Sequence, residues 1–235
     1  MHYDTIMENV FYGGTKLIKG VIFDMDGLMF DTEKLAKDGY EYAGNIMGFK
    51  VPDEVYYKVI GLNVENTKRV FKEYLGEDFD YDKSREIRIA YADDYFKKNG
   101  VPIKPGLYEL LSFLKSVGIK TAVATSTVEQ RAKARLIEAN VYDDFEAAVY
   151  GDMVKRGKPE PDIFLKAAEL IEVDVKNCIV LEDSKNGIIA AYRGGFKAVM
   201  VPDLIMPDSE IEKMLYAKLE SLKDVIDLIK NENSL

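Results

Sequence analysis

Acidic and hydroxyl side chains stand where short apolar segments of the chain end. Three such segments have the character of buried strands, with these residues at or just after their ends: Val21–Asp24 with Asp24 and Asp26, Lys120–Thr125 with Thr125 and Ser126, and Cys178–Leu181 with Glu182 and Asp183. Ligands of open parallel sheets bind outside the carboxyl ends of the strands. We therefore expect these side chains to meet at one edge of a sheet, with Lys158 of the segment GKPEPD close by.

The chemistry of such a group is limited by its charge. Carboxylates that gather at one edge repel one another unless a cation or a proton compensates them. Mg²⁺ suits oxygen ligands and is commonly held by one or two carboxylates together with water and substrate phosphate. A lysine can neutralise further phosphate charge, so the set predicts phosphoryl transfer, in which positioning and charge stabilisation do most of the work.

Composition excludes several other classes of function. The net charge of −9 argues against nucleic-acid binding, which rewards surplus lysine and arginine. His2 is the only histidine and stands at the start of the chain, which excludes Ser-His-Asp catalysis and multi-histidine zinc sites. Cys178 is the only cysteine, and no apolar stretch is long enough to span a bilayer. We expect a cytoplasmic protein that associates with no membrane.

The order of elements predicts an α/β fold. From residue 101 onward, short apolar strands alternate with amphipathic helical segments, which is typical of a parallel sheet with right-handed crossovers. Residues 34–100 lack comparable strands and have a helical pattern. We expect a Rossmann-like core of residues 1–33 and 101–235 with an inserted helical cap domain of residues 34–100. Four tyrosines of the cap are expected to form its core rather than line a pocket: Tyr40, Tyr42, Tyr56 and Tyr57.

Four segments in order resemble the sequence motifs of the haloacid dehalogenase superfamily. They are DMDGLMFDTE (Asp24–Glu33), the strand end at Thr125, GKPEPDIF (Gly157–Phe164) and LEDSKNGIIAA (Leu181–Ala191). The resemblance covers the whole core and is greatest to the branch with a helical cap after the first motif. That branch includes β-phosphoglucomutase and many sugar-phosphate phosphatases.

The resemblance implies a role for each site residue. Asp24 corresponds to the nucleophile that becomes an aspartyl phosphate, and Asp26 to the general acid and base. Thr125, Ser126 and Lys158 correspond to the groups that bind the substrate phosphate. The magnesium ligands would be Asp24, the backbone carbonyl of Asp26, Asp183 and, directly or through a second shell, Glu182.

Three functions remain open at this point. A phosphatase of a small phosphorylated metabolite is favoured, because Asp26 suits phosphate esters and dehalogenases lack an acid there. A hexose phosphomutase is the alternative, but the branch's histidine and cap-loop arginine correspond to Ala36 and Val64 here. We expect none of the cap arginines, Arg69, Arg85 and Arg88, to replace that arginine. A phospho-accepting receiver domain is disfavoured by the long insertion and by Asp26. We expect a monomer or weak dimer.

Overall fold

The computed structural model describes residues 17–235. The expectations for His2 and for a core that starts at residue 1 therefore lie outside the described residues. Six strands form one parallel sheet in the order β3-β2-β1-β4-β5-β6. The strands are β1 Gly20–Phe23, β2 Lys120–Ala124, β3 Ala147–Val149, β4 Cys178–Glu182, β5 Lys197–Met200 and β6 Ala217–Lys218. The predicted parallel α/β core is confirmed.

Both faces of the sheet are buried, because successive side chains of a strand pack into two different apolar clusters. Val21 and Phe23 of β1 pack into one apolar cluster, while Ile22 between them packs into the other. Successive side chains of a strand point to opposite faces, so helices must cover both. The first cluster is covered by α5 Leu107–Ser116, α6 Glu129–Glu138 and α10 Asp224–Asn233. The second is covered by α7 Asp162–Leu170, α8 Lys185–Arg193 and α9 Ser209–Glu212.

Four helices stand between β1 and α5 and form the cap. They are α1 Glu33–Met47, α2 Asp53–Val59, α3 Val64–Leu75 and α4 Tyr81–Asn99. Their apolar cluster includes Tyr40, Tyr56, Phe71 and Tyr81 and is separate from the two clusters of the sheet. The inserted helical cap is confirmed as a feature of the fold, while domain boundaries at 33/34 and 100/101 stay a prediction.

The two linkers between core and cap pair with each other. Phe30 and Ile103 form an isolated antiparallel bridge, and the Asp31 N–H donates to the Pro102 carbonyl at 2.9 Å. The Lys104 N–H donates to the Met29 carbonyl at 2.9 Å, so both linkers are held side by side. Across residues 17–235, no helix combines the length and apolar character needed to cross a membrane.

Candidate active site

The central strands bring three predicted site residues to one edge of the sheet. Asp24, Thr125 and Asp183 follow β1, β2 and β4, which are neighbours, and all three are buried. The Asp24 N–H donates to the Leu181 carbonyl, and the Thr125 N–H to the Val149 carbonyl, each at 3.0 Å. These bonds extend the sheet pairing by one residue. The backbone under the site is therefore fixed by the sheet.

Lys158 is the cation beneath this edge, and its side chain is 0% exposed. Its Nζ contacts Oδ1 of Asp24 and donates to Oε1 of Glu182 at 2.6 Å. The same nitrogen lies 4.8 Å from the centroid of the Phe164 ring. Burial works against its charge, but the carboxylates of Asp24 and Glu182 outweigh this effect and raise the pKa of Lys158. The ammonium therefore stays protonated and ties two strand ends together.

Glu182 has both carboxylate oxygens engaged. Oε1 accepts from Lys158, while Oε2 accepts from the backbone N–H and the hydroxyl of Ser184 at 3.0 and 2.9 Å. Ser184 in turn caps α8 by accepting from the Gly187 N–H at 3.0 Å. A serine at this position satisfies one of the free N–H groups of the first helical turn. Glu182 thus positions Lys158 as well as contributing to the acidic cluster.

Asp24, Glu182 and Asp183 form a buried acidic cluster whose oxygens lie within 4.8 Å of one another. Burial raises the pKa of Asp24 and of Asp183 well above the ordinary value, and the charge of Glu182 adds to both shifts. The Lys158 ammonium opposes the shift at Asp24 but does not cancel it. One ammonium is too little charge for three buried carboxylates. The cluster therefore fits a divalent cation, whose preferred ligands are carboxylate oxygens.

Gly27 allows the chain to turn away directly beside this cluster. Its φ of +85° lies in the left-handed region that side chains disfavour. A Cβ at this position would also overlap the carboxylate of Asp183. The turn after Asp26 therefore requires glycine for conformation and for space.

Asp26 accepts three side-chain hydrogen bonds. Oδ1 accepts from the hydroxyl of Thr32 at 2.8 Å and from Nη1 of Arg135 at 2.6 Å, and Oδ2 accepts from the hydroxyl of Thr127 at 2.7 Å. Burial favours the neutral acid, but the charge of Arg135 and the bonds from Thr127 and Thr32 prevail and lower the pKa of Asp26. In this arrangement Asp26 is a carboxylate, which is the form of a general base.

Glu33, the first residue of α1, links the site to the cap. The Tyr56 hydroxyl of α2 lies 3.0 Å from Oε2 of Glu33 and 2.9 Å from its carbonyl oxygen. Burial, together with the charge of Asp26, raises the pKa of Glu33 to about 7. A second carboxyl group next to Asp26 is therefore able to exchange a proton near neutral pH.

A cavity of about 140 Å³ lies between the core and the cap. Asp24, Asp26, Thr125 and Ser126 line it from the core, whereas the fully buried Lys158 lies beneath. Tyrosines and arginines line it from the other elements: Tyr40, Tyr56, Tyr81, Arg85, Arg88, Arg131 and Arg135.

Two expectations from the sequence change here. Arg85 and Arg88 of α4 were not expected at the site, yet both line the cavity. α4 runs back from the cap towards the core, which brings these two arginines over the site. Tyr40 and Tyr56 both pack in the cap core and line the cavity, so the two roles are not exclusive. Tyr42 and Tyr57 are exposed and line no part of the cavity, so the expectation that they form the cap core is wrong.

The loop between α2 and α3 rests directly on the core. The Ser126 hydroxyl donates to the Gly61 carbonyl at 2.8 Å, and the Asn186 amide donates to the Ile60 carbonyl at 2.8 Å. The Asn66 amide lies 3.4 Å from the Lys158 carbonyl. Ser126, predicted as a phosphate ligand, is thus engaged with the cap loop in this structure.

Sequence reasoning missed several polar neighbours of Asp26. Thr32 and Glu33 stand within the first motif but received no role, and Arg135 was not considered. Arg88 was weighed only as a replacement for the cap-loop arginine and was rejected. One available signal was Arg131 and Arg135, four residues apart on a helix that begins next to Thr127. Residues at this spacing share a helix face, so both point the same way.

The class of protein follows from a comparison of the sequence with known protein families. A sequence profile of the haloacid dehalogenase-like hydrolase family matches residues 21–201, which span the sheet edge, the cap and the acidic cluster. The chain belongs to this family and is a hydrolase. This confirms the resemblance drawn from the four motifs, while the roles of individual residues stay predictions.

Several individual proteins of known name are similar to this chain in sequence or structure. The phosphorylated carbohydrates phosphatase of Thermotoga maritima is 33% identical over 187 residues, which cover 77% of this chain and 84% of that protein. The β-phosphoglucomutase of Bacillus subtilis is 28% identical over 190 residues, covering 78% and 83%. A crystal structure from Thermotoga maritima superposes with a TM-score of 0.70 at 28% identity, covering 91% of this chain and 99% of that one.

Proposed function

We propose that the protein is a magnesium-dependent phosphatase that hydrolyses a small phosphorylated metabolite, a sugar phosphate, through an aspartyl phosphate on Asp24. The observation that carries this proposal is the contact of Asp24 with the buried Lys158 beside the acidic cluster. The activity named for the Thermotoga maritima relative supports a phosphorylated carbohydrate as the substrate. The size of the cavity supports a small one.

The first half of the reaction forms the phosphoenzyme. Oδ of Asp24 attacks phosphorus, and the bond from phosphorus to the sugar oxygen breaks. Asp26 gives a proton to the leaving oxygen, a step that lowers the barrier most for alkoxides, which are poor leaving groups. Because Asp26 is a carboxylate while bound to Arg135, it must first gain a proton, and the nearby Glu33 is a group that can exchange one near pH 7.

The second half releases phosphate. Asp26, now deprotonated, takes a proton from water, and the water oxygen attacks phosphorus as the bond to Asp24 breaks. Splitting one displacement into two easier ones is the advantage of a covalent intermediate. Thr125 and Lys158 would hold the oxygens of the phosphoryl group, and Lys158 also holds Asp24 in its attacking orientation.

Magnesium would be held by Asp24, Asp183 and the backbone carbonyl of Asp26, with Glu182 contributing to the negative field around it. Glu182 has its oxygens occupied by Lys158 and Ser184, so a direct bond to the ion is assigned to Asp183 first. When bound, the ion neutralises charge on the phosphoryl oxygens. The cap of residues 34–100 would cover the site and exclude bulk water during the reaction.

The test is a screen of phosphorylated sugars with Mg²⁺ and with EDTA, for the natural chain and for Asp24→Asn. We expect phosphate release that EDTA abolishes and that Asp24→Asn lacks, together with a trapped phosphoenzyme that only the natural chain forms. Asp38→Asn, on the cap helix α1, serves as a matched control. Near-normal turnover by Asp24→Asn would refute the assignment of the nucleophile.

A phosphomutase remains the second candidate, because Arg85 and Arg88 give the cap cations at the cavity. A mutase must hold a second phosphate and protect the phosphoenzyme from water until sugar phosphate returns. Supplying β-glucose 1-phosphate with a bisphosphate primer separates the two. We expect inorganic phosphate as the main product, since Ala36 and Val64 stand where the mutase branch has its histidine and cap-loop arginine. Accumulation of glucose 6-phosphate with little phosphate would favour the mutase.

A further inference from the structure

Not every arginine at the cavity has an acidic partner. Four arginines line it: Arg85, Arg88, Arg131 and Arg135. Two of them are compensated, because Arg131 pairs with Asp93 and Arg135 with Asp26. Among residues 17–235, no carboxylate lies within ion-pair distance of Arg85 or Arg88. The chain as a whole carries a net charge of −9, so arginines without an acidic partner do not result from a general surplus of cations.

Arg88 is held firmly at the cavity although it has no acidic partner. Its guanidinium carbon lies 5.2 Å from the centroid of the Tyr40 ring, and its side chain packs against Gly39 of α1 so closely that a Cβ there would lie 2.9 Å from Cγ of Arg88. Its Nε is buried and has no hydrogen-bond partner among the described residues. A buried donor without an acceptor is costly, and more so when it is charged.

The charge of Arg88 acts on the reacting groups. It contributes to the lowering of the pKa of Asp26 and opposes the burial-driven rise at Glu33. The other groups that face it are the hydroxyls of three tyrosines, Tyr40, Tyr56 and Tyr81. A purely structural arginine between α1 and α4 would be expected to pair with an acid of one of these helices. Arg88 instead faces the space where substrate would lie.

From these contacts we infer that Arg88, with Arg85 one turn earlier on α4, binds a second anionic group of the substrate while the phosphate to be removed lies at Asp24. The inference rests on the proposed function for the position of the first phosphate. Residues three apart on a helix lie on the same side, so both guanidinium groups can approach one oxyanion. A guanidinium pairs with phosphate or carboxylate through two parallel hydrogen bonds.

A second anion-binding group at the cavity restricts the class of substrate. It is a small metabolite with a second oxyanion, such as a sugar bisphosphate or a phosphorylated sugar acid. The arginines come from α4, away from the loop position of Val64. A substrate with one phosphate would leave Arg88 unpaired in the closed cavity, and the enzyme would discriminate against it for this reason.

Binding to Asp24→Asn tests the inference independently of turnover. Calorimetry in Mg²⁺ would compare glucose 6-phosphate, glucose 1,6-bisphosphate and 6-phosphogluconate. We expect at least one of the two compounds that carry a second anionic group to bind about ten- to a hundredfold more tightly than glucose 6-phosphate, the usual effect of a hydrogen bond to a charged group. The bisphosphate and the sugar acid distinguish a second phosphate from a carboxylate as the preferred group.

Arg88→Met in the same background should reduce this preference to about threefold or less, and Arg88→Lys should keep part of it. Arg69→Met is the matched control, because Arg69 is an exposed cap arginine, 68% accessible, that pairs with Glu73. It removes the same charge from the cap and should leave the preference unchanged. Arg85→Met, which breaks no packing against Gly39, provides a second variant if Arg88→Met lowers the melting temperature.

The inference is overturned if neither compound with a second anionic group binds better than glucose 6-phosphate. It is also overturned if Arg88→Met and Arg85→Met weaken all three compounds equally. Failure of the proposed function has a different signature. In that case the preference for two anionic groups persists in the binding experiment, while the natural chain releases no phosphate from any of the three compounds.

Discussion

Nη1 of Arg135, on α6, lies 2.6 Å from Oδ1 of Asp26, in the turn after β1. The bond joins two segments that are far apart in sequence and keeps the Asp26 carboxyl in its charged form. A general acid and base must hold a proton in one half of the reaction and lose it in the other. In the proposed reaction, the Arg135 contact would therefore favour hydrolysis of the phosphoenzyme, and removal of the arginine should favour its formation.

Arg135→Met should move the alkaline limb of the pH profile for kcat/KM towards higher pH. Loss of the guanidinium leaves burial to raise the pKa of Asp26, so the protonated acid persists at higher pH. The measurement is kcat/KM for an alkyl phosphate between pH 5 and 9. Lys133→Met is the control, since it removes a cation from the same helix that faces Tyr142 instead. A profile identical to that of the natural chain would contradict the role of Arg135.

Asp26→Ala should lower kcat about 10²–10⁴-fold for an alkyl phosphate, the usual effect of removing a positioned acid and base. The loss should be smaller for p-nitrophenyl phosphate in single-turnover formation of the phosphoenzyme, because nitrophenolate leaves without a proton. Quenched-flow measurement of that step gives both values. Equal losses for the two substrates would exclude Asp26 as the acid.

Lys158→Met should lower the free energy of unfolding by about 3–5 kcal/mol, because it leaves buried carboxylates without their cation. Lys158 is fully buried and contacts both Asp24 and Glu182. Urea unfolding in EDTA at pH 8 measures the change. Lys155→Met, at an exposed position three residues earlier, should differ little from the natural chain. Similar stability of the two variants would mean that the buried ion pairs contribute little.

Glu33 should make the metal-free protein less stable as pH rises towards neutrality. Burial raises its pKa to about 7 from an ordinary value of 4.5, which it regains on unfolding. Between these values the folded chain holds a proton that the unfolded chain releases, so the contribution of Glu33 to stability is lost as pH rises through this range.

Melting temperatures of the natural chain and Glu33→Gln in EDTA, between pH 4.5 and 7.5, test this expectation. The natural chain should lose more stability across the range than the variant does. Comparison of the two removes the shared contributions of Asp24 and Asp183. Glu54→Gln, at an exposed site on α2, should behave like the natural chain. Parallel curves for the natural chain and Glu33→Gln would show that Glu33 does not titrate in this way.

The sequence was sufficient for the core of the site because its residues follow strands. Asp24, Thr125 and Asp183 stand at the ends of apolar runs, and a parallel sheet has few ways to arrange such runs. The strands themselves begin or end within a residue or two of their predicted bounds. β6 was not predicted, because its two residues are too few to show any alternation.

Arg88 could not be predicted by the same reasoning. Apolar residues are spread around all sides of α4 and form no apolar face. The sequence pattern therefore does not indicate which side of this helix packs inward. Arg88 approaches Asp26 only because of the way α4 packs on α1, which is a property of the folded cap. The contact of Ser126 with Gly61 likewise depends on where the cap loop rests on the core. Local sequence patterns predict single helices and strands, and they do not predict how the cap helices pack on one another or on the core.

The bond from the Asp31 N–H to the Pro102 carbonyl holds the two ends of the cap insertion next to each other. The chain leaves and re-enters the core at adjacent points, so the separation of the two ends does not depend on what is inserted between them. Lengthening or replacing such an inserted segment costs little loop-closure entropy. One contiguous segment over the cavity can therefore be exchanged, while the strand ends that carry Asp24, Thr125 and Asp183 keep their positions.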